Sequence, residues 1–448
     1  MRVPLLQVST WVACAILSIP AQSMAADTLG LLEGYQAARI NDHQLKAAQA
    51  QTQSVLENEA QARARLLPQV NLSSTRYKVW QQQDSNGLSL PSQTYLSESD
   101  SIGLRQAIYQ PRLSAAVSQA RLAGQGAQAD YIDQEQALSD RFVSGYVNLL
   151  LSAEQQVLLA RQRASVSVQL DATQKAFQAG SGTRTDIIET QAQLDRLLAS
   201  ELQARQSVEV SRFELQTLMG SPVQSVWPLS VAAFKPAQLN PGMLADWLSR
   251  LEGNSPRLLS RKARVEASEV SAGAAKFDGY PTLDLVVQTS RSSSDDAYNV
   301  NSATRQNAVG VALTIPLYTG GAIGSRTRQT AADLVAAQEQ LEQTRKQLEL
   351  QVRQQYFAVK EGIEMIGALE QAKVSADQAL AANVQSFRAG ARRSLDVLAA
   401  EQRQLQAALD LSKARYQAIL AWVRLHALVG AANEDLMRRI NAWFVVAP

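Results

Sequence analysis

The sequence predicts an α+β membrane protein built from two copies of one unit: a helix, a β-hairpin, a long helix and a return helix. Few Pro and aromatic residues among the 448 favour long helices over thick globular cores. Short segments with alternating apolar and small side chains predict strands. Landmarks also recur at nearly one spacing. Phe177 and Phe387, Gly180 and Gly390, and Gly220 and Gly430 are each 210 residues apart, and Pro68 and Pro281 are 213 apart.

Composition and charge exclude several classes of function. The chain has 43 Lys and Arg against 41 Asp and Glu, a net charge of +2 that shows no pull towards nucleic acid. One Cys and two His argue against a structural zinc site. Asp295-Asp296 lies in a polar loop, His43 is expected at the surface, and His426 is expected to pack in a helix seam. With no nucleophile–base set, we expect neither an enzyme nor a cofactor.

Residues 1–25 resemble a cleavable export signal. Arg2 precedes a mostly apolar run, and Ser23-Met24-Ala25 supplies small residues before a cleavage site. The one Cys, Cys14, lies inside this segment. Trp11-Val12-Ala13 before it does not match a lipidation signal, so ordinary cleavage is expected, leaving a mature chain without cysteine.

The repeated landmarks divide the mature chain into two units. The first spans residues 26–220 and the second 243–430, with a connector at 221–242 and a tail at 431–448. Helices are expected at 28–66, 112–179, 183–218, 243–276, 322–389 and 394–429.

Narrow apolar seams on these helices indicate coiled-coil packing, because their members step by three and four. The remaining positions are mostly polar, so the helices are expected to form a thin wall or a solvated rod rather than a thick core. The seams are Val143, Tyr146, Leu150, Ala153, Val157 and Ala160; Leu348, Val352, Tyr356, Val359, Ile363 and Ile366; and Leu405, Leu409, Ser412, Tyr416, Ile419 and Val423.

Four strands are expected, at 69–82, 97–109, 282–293 and 305–317. The last of them places Val309, Val311 and Leu313 on one apolar face, opposite small or polar residues. Tyr109, Tyr280 and Tyr318 stand at strand ends, as in an interfacial aromatic belt. Strands of about 12 residues suit a tilted bilayer crossing.

Four strands cannot close a barrel, and open edges are not tolerated in lipid. Two copies of the chain would give about eight strands, whose barrel is filled by its own side chains. Three copies would give about 12 strands and leave a lumen. The strand pattern therefore favours a homotrimer with one shared barrel.

The chain resembles the TolC family of outer-membrane efflux and secretion channels. The residues that carry the resemblance are Ala62–Leu72, Phe177–Ala192, Tyr280–Leu285, Val309–Gly321 and Phe387–Ala400. The family implies a trimer with a 12-stranded outer-membrane barrel, continued by an α-helical tunnel through the periplasm. It also implies a mixed equatorial belt, to which the connector and the tail would contribute.

The resemblance further implies a periplasmic gate near the two glycine breaks. Asp186 matches an acid that interacts with an arginine matched by Arg392. Asp396 matches the first of two acids three residues apart that line the constriction. Thr185 and Phe177 belong to the same region. Without the resemblance, Asp186 and Arg392 are better explained as solvated charges near helix starts, where the helix dipole favours Asp186.

Two positions depart from the family pattern at this gate. The second acid is replaced by Ala399, and the family's tyrosine before the second break is Phe387. The resemblance then implies one acidic ring instead of two and a weaker polar latch. Three Asp396 carboxylates near one axis would repel one another and favour a bound cation, but the missing second acid leaves cation binding open.

The leading hypothesis is a passive outer-membrane exit duct, opened by a periplasmic adaptor docking at Gly180 and Gly390. The transporter is expected to be an inner-membrane ABC transporter that exports protein by type I secretion. A drug efflux pump is less favoured, because many drug-pump ducts are lipoproteins and this chain lacks a matching lipidation signal. A soluble periplasmic coiled-coil scaffold is the alternative of another class, but it leaves the four strands without a role.

Overall fold

The computed structural model describes residues 28–82, 84–85, 88–89, 92–294 and 302–445. The expected signal segment with Cys14 and the Asp295-Asp296 loop lie outside the described residues.

The first half of the chain places a β-hairpin between short and long helices. Its strands are β1 (Thr28–Leu29), β2 (Gln69–Gln81), β3 (Asp84–Ser85), β4 (Leu88–Ser89), β5 (Gln93–Tyr109) and β6 (Ser225–Val226). Its helices are α1 (Leu31–Asn41), α2 (His43–Ala64), α3 (Pro111–Gln178) and α4 (Arg184–Met219). At about 1.5 Å per residue, the 68 residues of α3 extend for about 100 Å.

The second half repeats this order of elements. Its strands are β7 (Thr282–Ser294) and β8 (Ser302–Thr314). Its helices are α5 (Leu244–Asn254), α6 (Pro256–Ala274), α7 (Ala322–Arg388), α8 (Ser394–Leu428) and α9 (Glu434–Asn441). None of the described helices is both long enough and apolar enough to cross a membrane.

The turns at the two helix tips have the same geometry. Gly180 and Gly390 adopt φ of 76° and 75°, left-handed values that glycine reaches without steric cost. The amide of Gly180 donates to the Phe177 carbonyl at 3.0 Å, and the amide of Gly390 donates to the Phe387 carbonyl at 2.9 Å. The 210-residue spacing therefore corresponds to one turn structure used twice.

The first helix of each repeat is broken, so the continuous helices expected at 28–66 and 243–276 were wrong. Asp42 ends α1 and caps α2, its carboxylate accepting from the Gln44 amide at 3.1 Å. Pro256 starts α6, and the preceding Ser255 is extended, because proline disfavours a helical residue before it. Gly220 lies against Asn41 and Gly430 against Asn254, so each break is also a packing contact.

The four long strands form one antiparallel sheet in the order β2-β5-β7-β8. Strand β5 begins at Gln93, earlier than expected, and pairs along the full length of β2. Strand β8 ends at Thr314, before the expected Leu317, because Pro316 has no amide hydrogen for the ladder. Strands β2 and β8 form the two edges.

The register divides the sheet into an apolar face and a small, polar face. Residues directly opposite each other on antiparallel strands share a face. One face carries the rows Val70, Leu104, Val287, Val309 and Leu72, Ile102, Thr289, Asn307. The other carries Asn71, Gly103, Gln288, Ala308 and Ser73, Ser101, Ser290, Gln306. Most of the apolar side chains are exposed, as expected of a barrel wall that faces lipid on one side only.

The main hydrophobic core lies midway along the helices, where the connector and the tail join them. The Ser230 amide donates to the Trp443 carbonyl at 2.8 Å, and Phe234 packs edge-on against Trp443. Tyr146 is fully buried, with its hydroxyl 3.1 Å from the carbonyls of Leu29 and Trp227. The helices alone would form the thin wall expected from their narrow apolar seams. The connector and the tail add a second layer to this wall near its middle.

The predicted seams agree with burial in this central region. Val143, Tyr146, Leu150, Val352, Tyr416 and Ile419 are all buried. Val157, expected in the seam, is instead 50% exposed. Burial on α3 resumes at Leu159, Gln162 and Val166. The buried stripe shifts around the helix because a straight helix has about 3.6 residues per turn and not 3.5. Helix α3 also changes packing partners along its length.

His426 is buried in the core, as its seam position predicted. Its ring packs edge-on against Trp247 and Trp422, and Nδ1 lies 2.9 Å from the Trp422 carbonyl. Burial lowers the pKa of His426 to about 4. The other histidine, His43, is exposed.

Replacing Gly430 with alanine is expected to destabilise the protein more than replacing Gly390. Both residues have positive φ, which costs about 1–2 kcal/mol for alanine. A Cβ at Gly430 would also lie 2.9 Å from the Asn254 carbonyl oxygen, whereas no atom lies within 4 Å of one at Gly390. Thermal unfolding of detergent-extracted protein measures the difference, and equal losses would contradict the packing argument.

Acidification is expected to destabilise the wild type more steeply than His426→Gln. The folded pKa of about 4 lies below the unfolded value of about 6.5, so the unfolded state binds the proton first as pH falls. Stability present above pH ~6.5 is then lost towards pH 4, by about 1.4 kcal/mol per pH unit. Apparent melting temperatures against pH test this. His43→Gln is the matched control and should keep the wild-type slope.

Candidate periplasmic gate

The two helix tips border one cleft at the end of the molecule away from the sheet. The cleft has a volume of ≈ 520 Å³ and lies between the end of α3, the start of α4 and the α7–α8 turn. Of the gate residues predicted from the sequence, Asp186, Thr185 and Phe387 line it. Phe177 precedes the first glycine break and is 45% exposed.

Asp186 and Asp396 occupy equivalent positions at the starts of α4 and α8. The Asp186 carboxylate accepts from the Thr183 amide at 3.2 Å and from its hydroxyl at 2.7 Å. The Asp186 amide donates to the Thr183 hydroxyl oxygen, which completes a capping box. The Asp396 carboxylate accepts from the Arg393 amide at 3.2 Å. Both carboxylates therefore hold helix starts in place.

Asp186 shares the cleft with Arg393 of the second-repeat tip. The hydrogen bonds from Thr183, followed by the positive charge of Arg393, hold the pKa of Asp186 below its usual value. Both side chains line the cleft. The carboxylate is therefore ionised at neutral pH, and the hydrogen bonds from Thr183 lower its pKa more than the charge of Arg393 does.

The pairing of Asp186 with Arg392, expected from the resemblance, is not formed within this chain. Arg392 instead lies 3.8 Å from Asp396, one helical turn further on. Among the residues that the structure describes, no ion pair joins Arg392 to Asp186. Adjacent residues at a helix start point in different directions, so Arg393 lines the cleft whereas Arg392 is exposed outside it, near Asp396.

The sequence reasoning missed Arg393 and the capping role of Thr183. The spacing Thr-x-x-Asp before a helical run could have revealed the capping box. The tandem arginines after Gly390 showed a basic tip, but not which of the two faces the cleft. Glu189, one turn after Asp186, also lines the cleft and was not identified.

Few contacts join the two coiled coils above the cleft. Leu159, Val166, Leu197, Ala204 and Leu405 form a small apolar cluster separate from the main core. The Ser165 hydroxyl donates to Glu401 at 2.6 Å across the α3–α8 interface. The apolar contact between the coiled coils near the tips is therefore small compared with the main core.

No group of three or more His, Cys, Asp or Glu within the described ranges is arranged to hold a metal ion. A ring of Asp396 carboxylates would require further copies of the chain.

Comparison with known proteins places this geometry in a family. The sequence matches the family described as outer membrane efflux protein over residues 34–221 and 247–431. It is 30% identical to the alkaline protease secretion protein AprF of Pseudomonas aeruginosa, covering 97% of this chain and 91% of AprF. It is 29% identical to the proteases secretion protein PrtF of Dickeya chrysanthemi (95% and 93% covered) and 28% identical to TolC of Escherichia coli (95% and 87%).

Solved structures share the fold at lower identity. The Campylobacter jejuni CmeC outer membrane channel superposes with a TM-score of 0.76 at 15% identity, covering 98% of both chains. The outer membrane protein VceC of Vibrio cholerae gives 0.75 at 19% identity, covering 90% of this chain and 97% of VceC. The sheet is thus the membrane part and the long helices are the periplasmic part. The chain belongs to the outer membrane efflux protein family and is an outer-membrane exit channel.

Proposed function

We propose that this channel is the exit duct of a type I protein secretion system, receiving protein from an inner-membrane ABC transporter through a periplasmic adaptor. The observation that carries the proposal is full-length similarity to AprF and PrtF, both named as protease secretion proteins. An unfolded polypeptide requires a continuous, wide passage. A trimer of this fold would provide one, because the small, polar face of each sheet would line the lumen.

The edges of the sheet support a homotrimer. Strands β2 and β8 have no partner on their outer sides within the described chain. Lipid does not tolerate such edges, so β8 of one copy would pair with β2 of the next. Three four-stranded sheets would close a 12-stranded barrel in outer-membrane lipid.

The proposed domains follow the repeats. Residues 26–220 and 243–430 form the two repeats, and the connector at 221–242 and the tail at 431–448 form the equatorial belt. Contacts between Ser230 and Trp443 and between Phe234 and Trp443 support the belt assignment.

We infer that the periplasmic gate comprises Phe177, Thr185, Asp186, Phe387, Arg392 and Asp396, together with Arg393. The shared cleft and the charge of Arg393 near Asp186 support this. Arg392 is exposed and is available to a neighbouring protomer. The adaptor would dock at the turns of Gly180 and Gly390. These two turns have the same geometry, so each could bind a helical hairpin of the adaptor in the same way.

Drug efflux is the second candidate function, favoured by the family description as efflux protein and by similarity to TolC. The duct would then receive small compounds from an efflux pump instead of protein from an ABC transporter.

Removing the gate charges is expected to raise conductance. Purified wild-type protein in a planar bilayer should show a small, mostly closed, cation-selective conductance. We expect a several-fold increase in conductance for each of Asp186→Ala, Arg392→Ala and Arg393→Ala. An exposed ion pair contributes only about 0–1 kcal/mol, but this is enough to shift the balance between closed and open channels that differ by a few kcal/mol.

Two control variants separate gating from helix capping. Arg184→Ala removes an exposed charge on the same turn that does not line the cleft, and it should leave conductance unchanged. Thr183→Ala weakens the cap without removing a charge. If Thr183→Ala opens the channel as much as Asp186→Ala does, the carboxylate acts through the helix start and not through a latch.

Deleting the gene is expected to abolish export of a protein with a C-terminal secretion signal, because the duct is the exit through the outer membrane. The measurement is the amount of that protein in the culture medium, together with drug susceptibility. Unchanged secretion combined with drug sensitivity would reverse the choice of cargo.

A further inference from the structure

A charged row crosses the apolar face of the sheet where its apolar band ends. It consists of Ser74, Asp100, Arg291 and Arg305, directly opposite one another on four neighbouring strands. The next row towards the helices is Leu72, Ile102, Thr289 and Asn307. Shared register places both rows on the lipid-facing side.

The position of this row corresponds to the outer boundary of the membrane. The helices are periplasmic, so the opposite ends of the strands point outwards from the cell. Arg or Lys on the lipid face costs about 2–4 kcal/mol at the bilayer midplane but only about 0–1 near an interface. The row therefore lies at the level of the outer-leaflet head groups.

Within the row, Arg291 and Arg305 form a like-charge pair. They are directly opposite on β7 and β8, and both are exposed. Like charges at directly opposed positions destabilise a sheet. A multivalent anion bound between them would remove this repulsion.

Two of the described acids close to this pair, Asp100 and Glu98, are engaged by another arginine, Arg76. Asp100 is held by Arg76 through two parallel contacts, Nη1 to Oδ1 at 2.9 Å and Nη2 to Oδ2 at 3.1 Å. Arg76 Nε also lies 3.3 Å from Glu98 Oε1. Among the described residues, neither Arg291 nor Arg305 is within ion-pair distance of a carboxylate, although Arg291 lies opposite Asp100 and interacts with its charge. Three arginines, Arg76, Arg291 and Arg305, stand against the two acids, so this part of the face keeps a net positive charge.

We propose that Arg291 and Arg305 bind a phosphate of a phosphorylated glycolipid in the outer leaflet. The guanidinium fork matches phosphate oxygens and makes two charge-assisted hydrogen bonds to them. The acyl chains of the same lipid would lie along Leu72, Ile102 and Val309 below. A glycolipid fits better than a free anion because the charged row and the apolar band are contiguous.

The test is binding of bisphosphorylated lipid A to the purified full-length protein in mixed detergent micelles. The double variant Arg291→Gln/Arg305→Gln is expected to weaken binding by about tenfold or more, given about 1 kcal/mol per basic residue near an anionic lipid. The control is Arg353→Gln/Lys360→Gln, which removes two exposed charges from α7. It should bind as the wild type does. Dephosphorylated lipid A should bind equally weakly to all three proteins.

Two further probes distinguish the sources of phosphate. Phosphatidylglycerol in the same micelles and inorganic phosphate alone should each bind weakly, and their binding should fall less than twofold in the double variant.

If the Gln variant does not assemble, Arg291→Lys/Arg305→Lys is the second variant. It keeps the charge but loses the guanidinium fork, and it should bind lipid A with intermediate strength. Equal lipid A binding by wild type and double variant, or an equal loss for phosphatidylglycerol, would overturn the proposal.

Discussion

The fold depends on a buried clamp around Tyr146. Helix α3 has 68 residues and a mostly polar surface, so it cannot be held by a continuous core. Tyr146 lies 3.1 Å from two carbonyls, one in β1 and one in the connector, and its ring packs edge-on against Phe444 of the tail. Burial raises the pKa of Tyr146, which keeps its hydroxyl neutral and able to donate.

The second repeat has a tyrosine at the equivalent position, 210 residues later. This residue, Tyr356 on α7, donates to the Gly242 carbonyl at 2.9 Å. Both long helices are therefore fastened to the connector near their middle.

Fastening the helices at the middle leaves the tips with little packing. Below the main core, the coiled coils share a small apolar cluster and a few polar contacts. The helix starts are stabilised locally by Asp186 and Asp396, which accept backbone hydrogen bonds wherever the tips are placed. Each tip is therefore stabilised mainly by its own local hydrogen bonds. Exposed pairs such as Arg392 with Asp396 contribute little individually, which suits the gate that we propose at these tips.

The sheet is shaped by a different constraint, because lipid accepts neither unpaired backbone groups nor mid-membrane charges. Its apolar face carries no charged side chain from Leu313 to Leu72, and charge first occurs on that face in the row of Asp100, Arg291 and Arg305. Its other face is small and polar, as a wet lumen requires. The buried Asp284 at the helical end is paired with Arg105 at 2.5 Å and with Gln110 at 2.6 Å, which satisfies both carboxylate oxygens where the strands join the helices.

The sequence by itself determined the repeat, the long helices, the four strands and the family, because these follow from local periodicity and from glycine and proline positions. Gly180 and Gly390, for example, indicate two equivalent turns through their spacing alone. Only the tertiary structure decided which residues meet. The breaks at Asp42 and Ser255 have local causes in a cap and in Pro256, but only the structure shows that Gly220 and Gly430 pack against them. The exposure of Val157 reflects a change of helix partners. Arg393, not Arg392, lines the same cleft as Asp186, because the direction of a side chain at a helix start depends on the whole turn. The opposition of Arg291 and Arg305 required the strand register, which pairs residues far apart in sequence.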